Sequence, residues 1–129
     1  MGAVAIDAMH CISNEQDWEI HNAIFQSYSK FSIAFQLLDD VLDLNEDFAK
    51  NQFNWLFMCY FQKNGHHILN PSQMPVELKI EILQLAECYF AEAKQLLPDK
   101  RSCASGFETA IDYMSQSVKK VVVLHGRGI

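Results

Sequence analysis

The chain has 129 residues, about the size of one domain, which leaves hardly room for a second. Half of the residues are hydrophobic and 20% are charged, with only 5 Gly and 3 Pro, so the chain can bury a core and lacks a disordered composition. The 10 Lys and Arg face 16 Asp and Glu for a net charge of −6, and no basic cluster exceeds a pair, so nucleic-acid binding by phosphate neutralisation is disfavoured.

The longest apolar runs, such as Val121-Val122-Val123-Leu124, fall far short of the roughly 18 residues of a bilayer span, so no membrane-spanning helix is expected. The opening Met1-Gly2-Ala3-Val4-Ala5-Ile6-Asp7 lacks the basic start of a signal peptide, and a cytoplasmic location is expected. Cys11, Cys59, Cys88 and Cys103 form no C-x-x-C pair and fall in apolar segments, which predicts reduced, buried thiols without thiol chemistry.

Hydrophobic spacing is helical nearly everywhere and strand-length alternation is absent, so the fold class is all-α. Residues 3–12 form a short candidate helix. Ser13 and Asn14, followed by Glu15, Gln16 and Asp17, mark the start of a long helix running to about Ala49. Asn51 suits the left-handed position after a helix end, and Asn54 suits the cap of the next helix. That helix, Trp55-Leu56-Phe57-Met58-Cys59-Tyr60-Phe61, is apolar enough to predict burial all round. Its aromatics, with Phe53, read as packed core rather than as a ligand pocket.

Gly65, His66, His67, Asn70 and Pro71 predict an exposed loop; adjacent histidines there diverge and read as solvated rather than as a metal pair. Pro75 suits the first turn of a helix through Leu97, which Pro98-Asp99 ends. Ser105 and Glu108 have capping-box spacing for a last helix over about 106–122, with a frayed tail at Gly126 and Gly128.

The long helix carries Gln36, Asp39, Asp40, Asp43 and Asp47. At about 100° per residue, all five fall within an arc of about 100°. Ala34, Leu37, Leu38, Val41, Leu42 and Leu44 fill the complementary arc, so the helix is expected to bury one side and present carboxylates on the other. Asp39, Asp43 and Asp47 stack at i, i+4 and i+8, where each like-charge pair costs about 0.2–0.5 kcal/mol. No Lys or Arg lies between Phe31 and Ala49 to offset them. A bound Mg²⁺, which is held by one or two carboxylates plus phosphate oxygens, would remove the conflict.

The run Phe31-Ser32-Ile33-Ala34-Phe35-Gln36-Leu37-Leu38-Asp39-Asp40-Val41-Leu42-Asp43 resembles the second aspartate-rich motif, F-Q-x-x-D-D-x-x-D, of the all-α isoprenyl diphosphate synthases. Asp39-Asp40, Asp43 and Asp47 also have the spacing of the second metal motif of class I terpene synthases. The stretch Glu46 to Trp55 is similar to the segment just after the motif in bacterial members. The resemblance implies a helical bundle like the C-terminal half of the class I isoprenoid synthase fold. It implies Mg²⁺ on Asp39 and Asp43, with Asp40 and Asp47 supporting or completing a site for a prenyl diphosphate. Gln36, Phe35, Phe31 and Lys50 would contact that substrate, and Phe25, Tyr28, Phe31 and Phe35 would wall its tunnel.

In that family the metals draw diphosphate away to leave an allylic cation, which isopentenyl diphosphate or an internal double bond attacks. The family's first aspartate-rich motif lies on an upstream helix, whereas only Asp7 precedes the acidic helix here. The expectation is therefore a prenyltransferase-like or terpene synthase-like site that is incomplete alone, with a homodimer or a complementary half-domain as partner. The alternative from a different class is a non-catalytic helical module that binds a partner or itself through exposed apolar surface, over more than about 1,000 Å².

Overall fold

The computed structural model describes residues 18–97 and 105–127. The expected helix over 3–12, the Ser13-Asn14 cap, the Pro98-Asp99 terminator, Asp7, Cys11 and Cys103 lie outside the described residues. Among the described residues all regular structure is helical: α1 (Trp18–Leu42), α2 (Leu44–Ala49), α3 (Trp55–Asn64), a 3₁₀ turn (Pro71–Gln73), α4 (Val76–Leu96) and α5 (Ser105–Arg127). No helix among them is long and apolar enough to cross a membrane.

α1 and α4 pack side by side and antiparallel, as their cross-links show. The Ser27 hydroxyl donates to the Ala93 carbonyl and Lys30 pairs with Glu92, while Leu37 and Ile82 face one groove further along. α5 returns along α4, with Lys94 on Asp112 at 2.9 Å and Lys119 within 3.9 Å of Glu87. α3 reaches α4 through Lys63 and Glu81 at 2.8 Å. These exposed pairs record register and contribute little stability.

The core is built from helical spacing. Phe31, Ala34, Leu37, Leu38 and Val41 of α1 meet Leu78, Ile82, Leu83, Ala86, Phe90 and Ala93 of α4. Phe31 sits at the centre, 1% exposed, with its ring edge-on to Phe90 at 5.5 Å and to Phe107 of α5 at 5.4 Å. Such tilted pairs favour the aromatic quadrupoles over a flat sandwich.

Several expectations are corrected. The long helix is interrupted at Asp43, whose φ of −99° and ψ of 16° leave the helical well, although Asp43 N–H still reaches Asp39 O and Asp47 N–H reaches Asp43 O, each at 2.8 Å. The segment is thus two helices meeting at Asp43 rather than one unbroken helix. α3 is not buried all round: only Leu56 and Tyr60 are, while Trp55, Met58 and Phe61 stand more than 40% exposed, as does Phe53 before it. The core reading of that aromatic cluster fails for Phe53, Trp55 and Phe61, because α3 touches the bundle along one line only. Cys88 is exposed, since it lies on the side of α4 opposite Ala86, Phe90 and Ala93, and Cys59 is half-buried. Pro75 caps α4 rather than entering its first turn, and α5 continues through Gly126 to Arg127.

The loop expectations hold. Asn51 has φ of +54°, and Gln52 N–H to Asp47 O with Asn51 N–H to Phe48 O closes the C-terminus of α2 in the paired bonding of a Schellman motif. Gly65 ends α3 at φ of +75°, and His66 and His67 are exposed beyond it.

Candidate functional site

The acidic run divides into two parts, and the loop after α2 divides it. Asn54 is fully buried, and its side-chain oxygen accepts from Leu56 N–H at 2.9 Å, capping α3. Its amide nitrogen donates to the Asp40 carbonyl at 2.7 Å and to Asp47 Oδ2 at 2.9 Å, which ties the loop to both α1 and α2. Asp40 completes the joint. Its Oδ2 accepts from Trp55 N–H at 2.9 Å and its Oδ1 from Gln36 Nε2 at 2.8 Å.

Asp40 is therefore a correction to the solvent-facing stripe: it is 2% exposed, with both carboxylate oxygens engaged. Burial pushes its carboxyl above the ordinary range, against the opposing pull of the Trp55 and Gln36 donors. The N-terminus of α3 supplies the Trp55 amide and a favourable dipole for this charge.

Asp39 and Asp43 lie outside that network and form the other part. Desolvation raises the Asp39 carboxyl first, and the Asp43 carboxylate one turn along raises it further. Asp40 and Asp47 add to the repulsion. A cation bound between two carboxylates so placed would relieve their repulsion. Lys50 sits on Glu46 at 2.6 Å and adds a weaker attraction to Asp47 and Asp43.

Of the residues expected to meet a substrate, Gln36 is held by Asp40, and Phe31 is a core residue. Phe35 is half-buried against the core, its ring 6.3 Å from Phe31. Phe31 and Phe35 border a hollow of about 390 Å³ on the α5 side, while Phe25 is 56% exposed near the start of α1. Asp39, Asp40, Asp43 and Asp47 thus share one side of α1–α2, but Phe31 and Lys50 are not drawn into a common pocket with them. Asn54 is the residue whose wider part sequence reasoning missed. Its capping role was legible; its reach to Asp40 and Asp47 depends on the loop closing back on α1.

Among the described residues no three His, Cys, Asp or Glu side chains form a group able to hold a metal ion by themselves. The donor set that fits Mg²⁺ is the Asp39–Asp43 pair, because this ion takes one or two carboxylates and completes its shell with water and phosphate oxygens. The chain matches no family model, no curated protein and no solved structure.

Proposed function

We propose that the acidic segment of α1 and α2 is a Mg²⁺-dependent diphosphate-binding half-site, with a prenyl diphosphate as its ligand. The observation that carries this reading is the placement of Asp39 and Asp43 one helical turn apart, both partly exposed, while Asp40 and Asp47 are drawn into the joint with Asn54 and Trp55. Asp39 and Asp43 would hold the ion, while Asn54 fixes Asp47 and Asp40 anchors the helix that carries them. The ion would supply the positive charge that lets carboxylates and a diphosphate share one surface and that stabilises a departing diphosphate. One pair of ligands makes a binding half-site, which a second copy or a complementary half-domain would complete for transferase or cyclase chemistry.

The test is thermal unfolding with Mg²⁺ and inorganic diphosphate, separately and together. Saturation to 100 times Kd adds about 2.7 kcal/mol, a rise of several degrees for a domain of this size. Asp43→Asn is the matched control, since Asp43 precedes α2 without a capping side-chain hydrogen bond and its replacement leaves the helix ends unchanged. A rise that needs both ligands and vanishes in Asp43→Asn supports the half-site; a cooperatively melting chain with no rise removes it.

A second reading, a non-catalytic module that docks a partner or a second copy, draws on the apolar side chains left open around α3: Phe53, Trp55, Met58 and Phe61. Sedimentation decides it, because a strictly monomeric folded chain counts against self-association.

A further inference from the structure

A cavity of about 430 Å³ opens between α2, the loop before α3, the first turn of α3 and the loop that follows α3. Its size lies within the roughly 300–1,000 Å³ of small-molecule sites. Phe48, Phe53, Phe57, Met58 and Ile68 supply its apolar walls. The Phe48 and Phe57 rings meet at 74° with their centroids 6.2 Å apart, and Phe53 stands well exposed beside them. Three aromatic rings thus border one space.

Among the described residues Asp47 is the one lining side chain with a negative charge, and no Lys or Arg lines the cavity. Asn54 holds Asp47 Oδ2 at 2.9 Å, while Asp47 Oδ1 accepts no hydrogen bond among the described residues. Lys50, outside the lining, is bound to Glu46 and adds only a weaker attraction to Asp47. His67, on the rim, is stacked on Phe61 with centroids 4.6 Å apart. Aromatic faces attract a cation through their quadrupole, and a carboxylate attracts it by charge. A metal ion or plain ammonium would give up a tight hydration shell to walls that are mostly carbon, whereas an alkylated ammonium presents carbon of its own. A neutral apolar ligand would cover Asp47 without pairing it, which is costly. An anion would be repelled by Asp47 and by Asp39 and Asp43 of the same segment.

We infer that this cavity binds a small alkylammonium cation, with a trimethylammonium group among the Phe48, Phe53 and Phe57 rings and Asp47 as its counter-ion. The ligand carries no phosphate beside the ammonium, because the aspartates would repel it. Asp47 lies outside the Asp39–Asp43 pair and no metal takes part, so this inference and the half-site reading fail separately. A second copy of the chain is the competing occupant, and it would leave Asp47 uncompensated unless it brought a cation to that point.

The test measures choline binding by calorimetry and by the N-methyl proton signal of choline, without Mg²⁺ or diphosphate. The matched probes are 3,3-dimethyl-1-butanol, in which carbon replaces the charged nitrogen, and phosphocholine, which adds the anionic group. Expected is saturable choline binding with an upfield shift of the methyl signal, as aromatic ring faces produce, and weaker binding of both other probes. Asp47→Asn keeps an oxygen for the Asn54 amide and should lower choline affinity about threefold to fivefold. Phe53→Leu and Phe57→Leu keep an apolar wall without a ring, and each should lower the affinity about threefold while the chain still melts cooperatively. No saturable binding to the folded chain overturns the inference. So does equal or tighter binding of the neutral or the phosphorylated probe, unchanged affinity in Asp47→Asn, or unchanged affinity in both leucine variants. A dimer that Met58→Arg dissociates, with no choline binding, assigns the cavity to a second copy instead.

Discussion

Asp40 and Asp39 are neighbours in sequence, yet they belong to opposite kinds of structure. Asp40 is buried, and each of its oxygens has a donor, so its charge is committed to joining α3 to α1. Asp39 remains partly open, and the Asp43 carboxylate one turn away opposes its ionisation. The contrast teaches that a run of carboxylates on one helical face is not one functional unit. A single step of about 100° around the helix moves a side chain from the packed joint to the free edge.

The strongest way to break this contrast is to remove its hub. Asn54→Ala deletes the cap on Leu56 and both donations, to the Asp40 carbonyl and Asp47, and should lower stability by about 2–4 kcal/mol in urea unfolding. A loss below about 1 kcal/mol would mean that the joint does not hold the loop. Asp40→Ala comes next, at about 1–3 kcal/mol, because it leaves the Trp55 amide unpartnered in the joint. Asp40→Asn should cost less than that, since its oxygen still accepts from Trp55 N–H.

The smallest effect has the opposite sign. The Asp39 carboxyl is raised above its unfolded value, so the folded chain binds this proton more tightly. Its contribution is fully present below the ordinary carboxylate range and is lost as pH rises through the raised value. At about pH 7 without metal, Asp39→Asn should therefore stabilise the chain by about 0.2–0.5 kcal/mol and flatten its stability between about pH 4 and pH 7, measured by parallel melts. A destabilised Asp39→Asn at neutral pH would show that the Asp39–Asp43 pair is not repulsive.

Much of the architecture was legible because helix periodicity and end signals are local. The amphipathic split of α1, the left-handed Asn51 and the capping Asn54 all derive from near neighbours in the chain, although the split fails at Leu42, which is 59% exposed, and at the buried Asp40. The outward turn of Cys88 was open to the same reasoning, for two steps from Ala86 carry it to the outer side of α4. What was not legible depends on how many neighbours a helix has. The composition of α3 is apolar on every side, but only the tertiary arrangement decides that Trp55, Met58 and Phe61 stay open. Asp40 carried one weak signal: on the wheel it lies at the edge of the acidic arc nearest Leu37. Its partner donors include a loop that returns from fourteen residues on, and no local pattern announces that return.

The capping of α3 by side chains also changes how its backbone meets water. First-turn amides of a helix ordinarily lack intrahelical acceptors and exchange their hydrogens freely with solvent. Trp55 N–H and Leu56 N–H instead end on Asp40 and Asn54, the latter bond buried within the joint. Deuterium should enter these two amides only when the joint between α1, α2 and α3 opens, so their exchange rates report how often the chain parts at the point where its acidic helix is anchored.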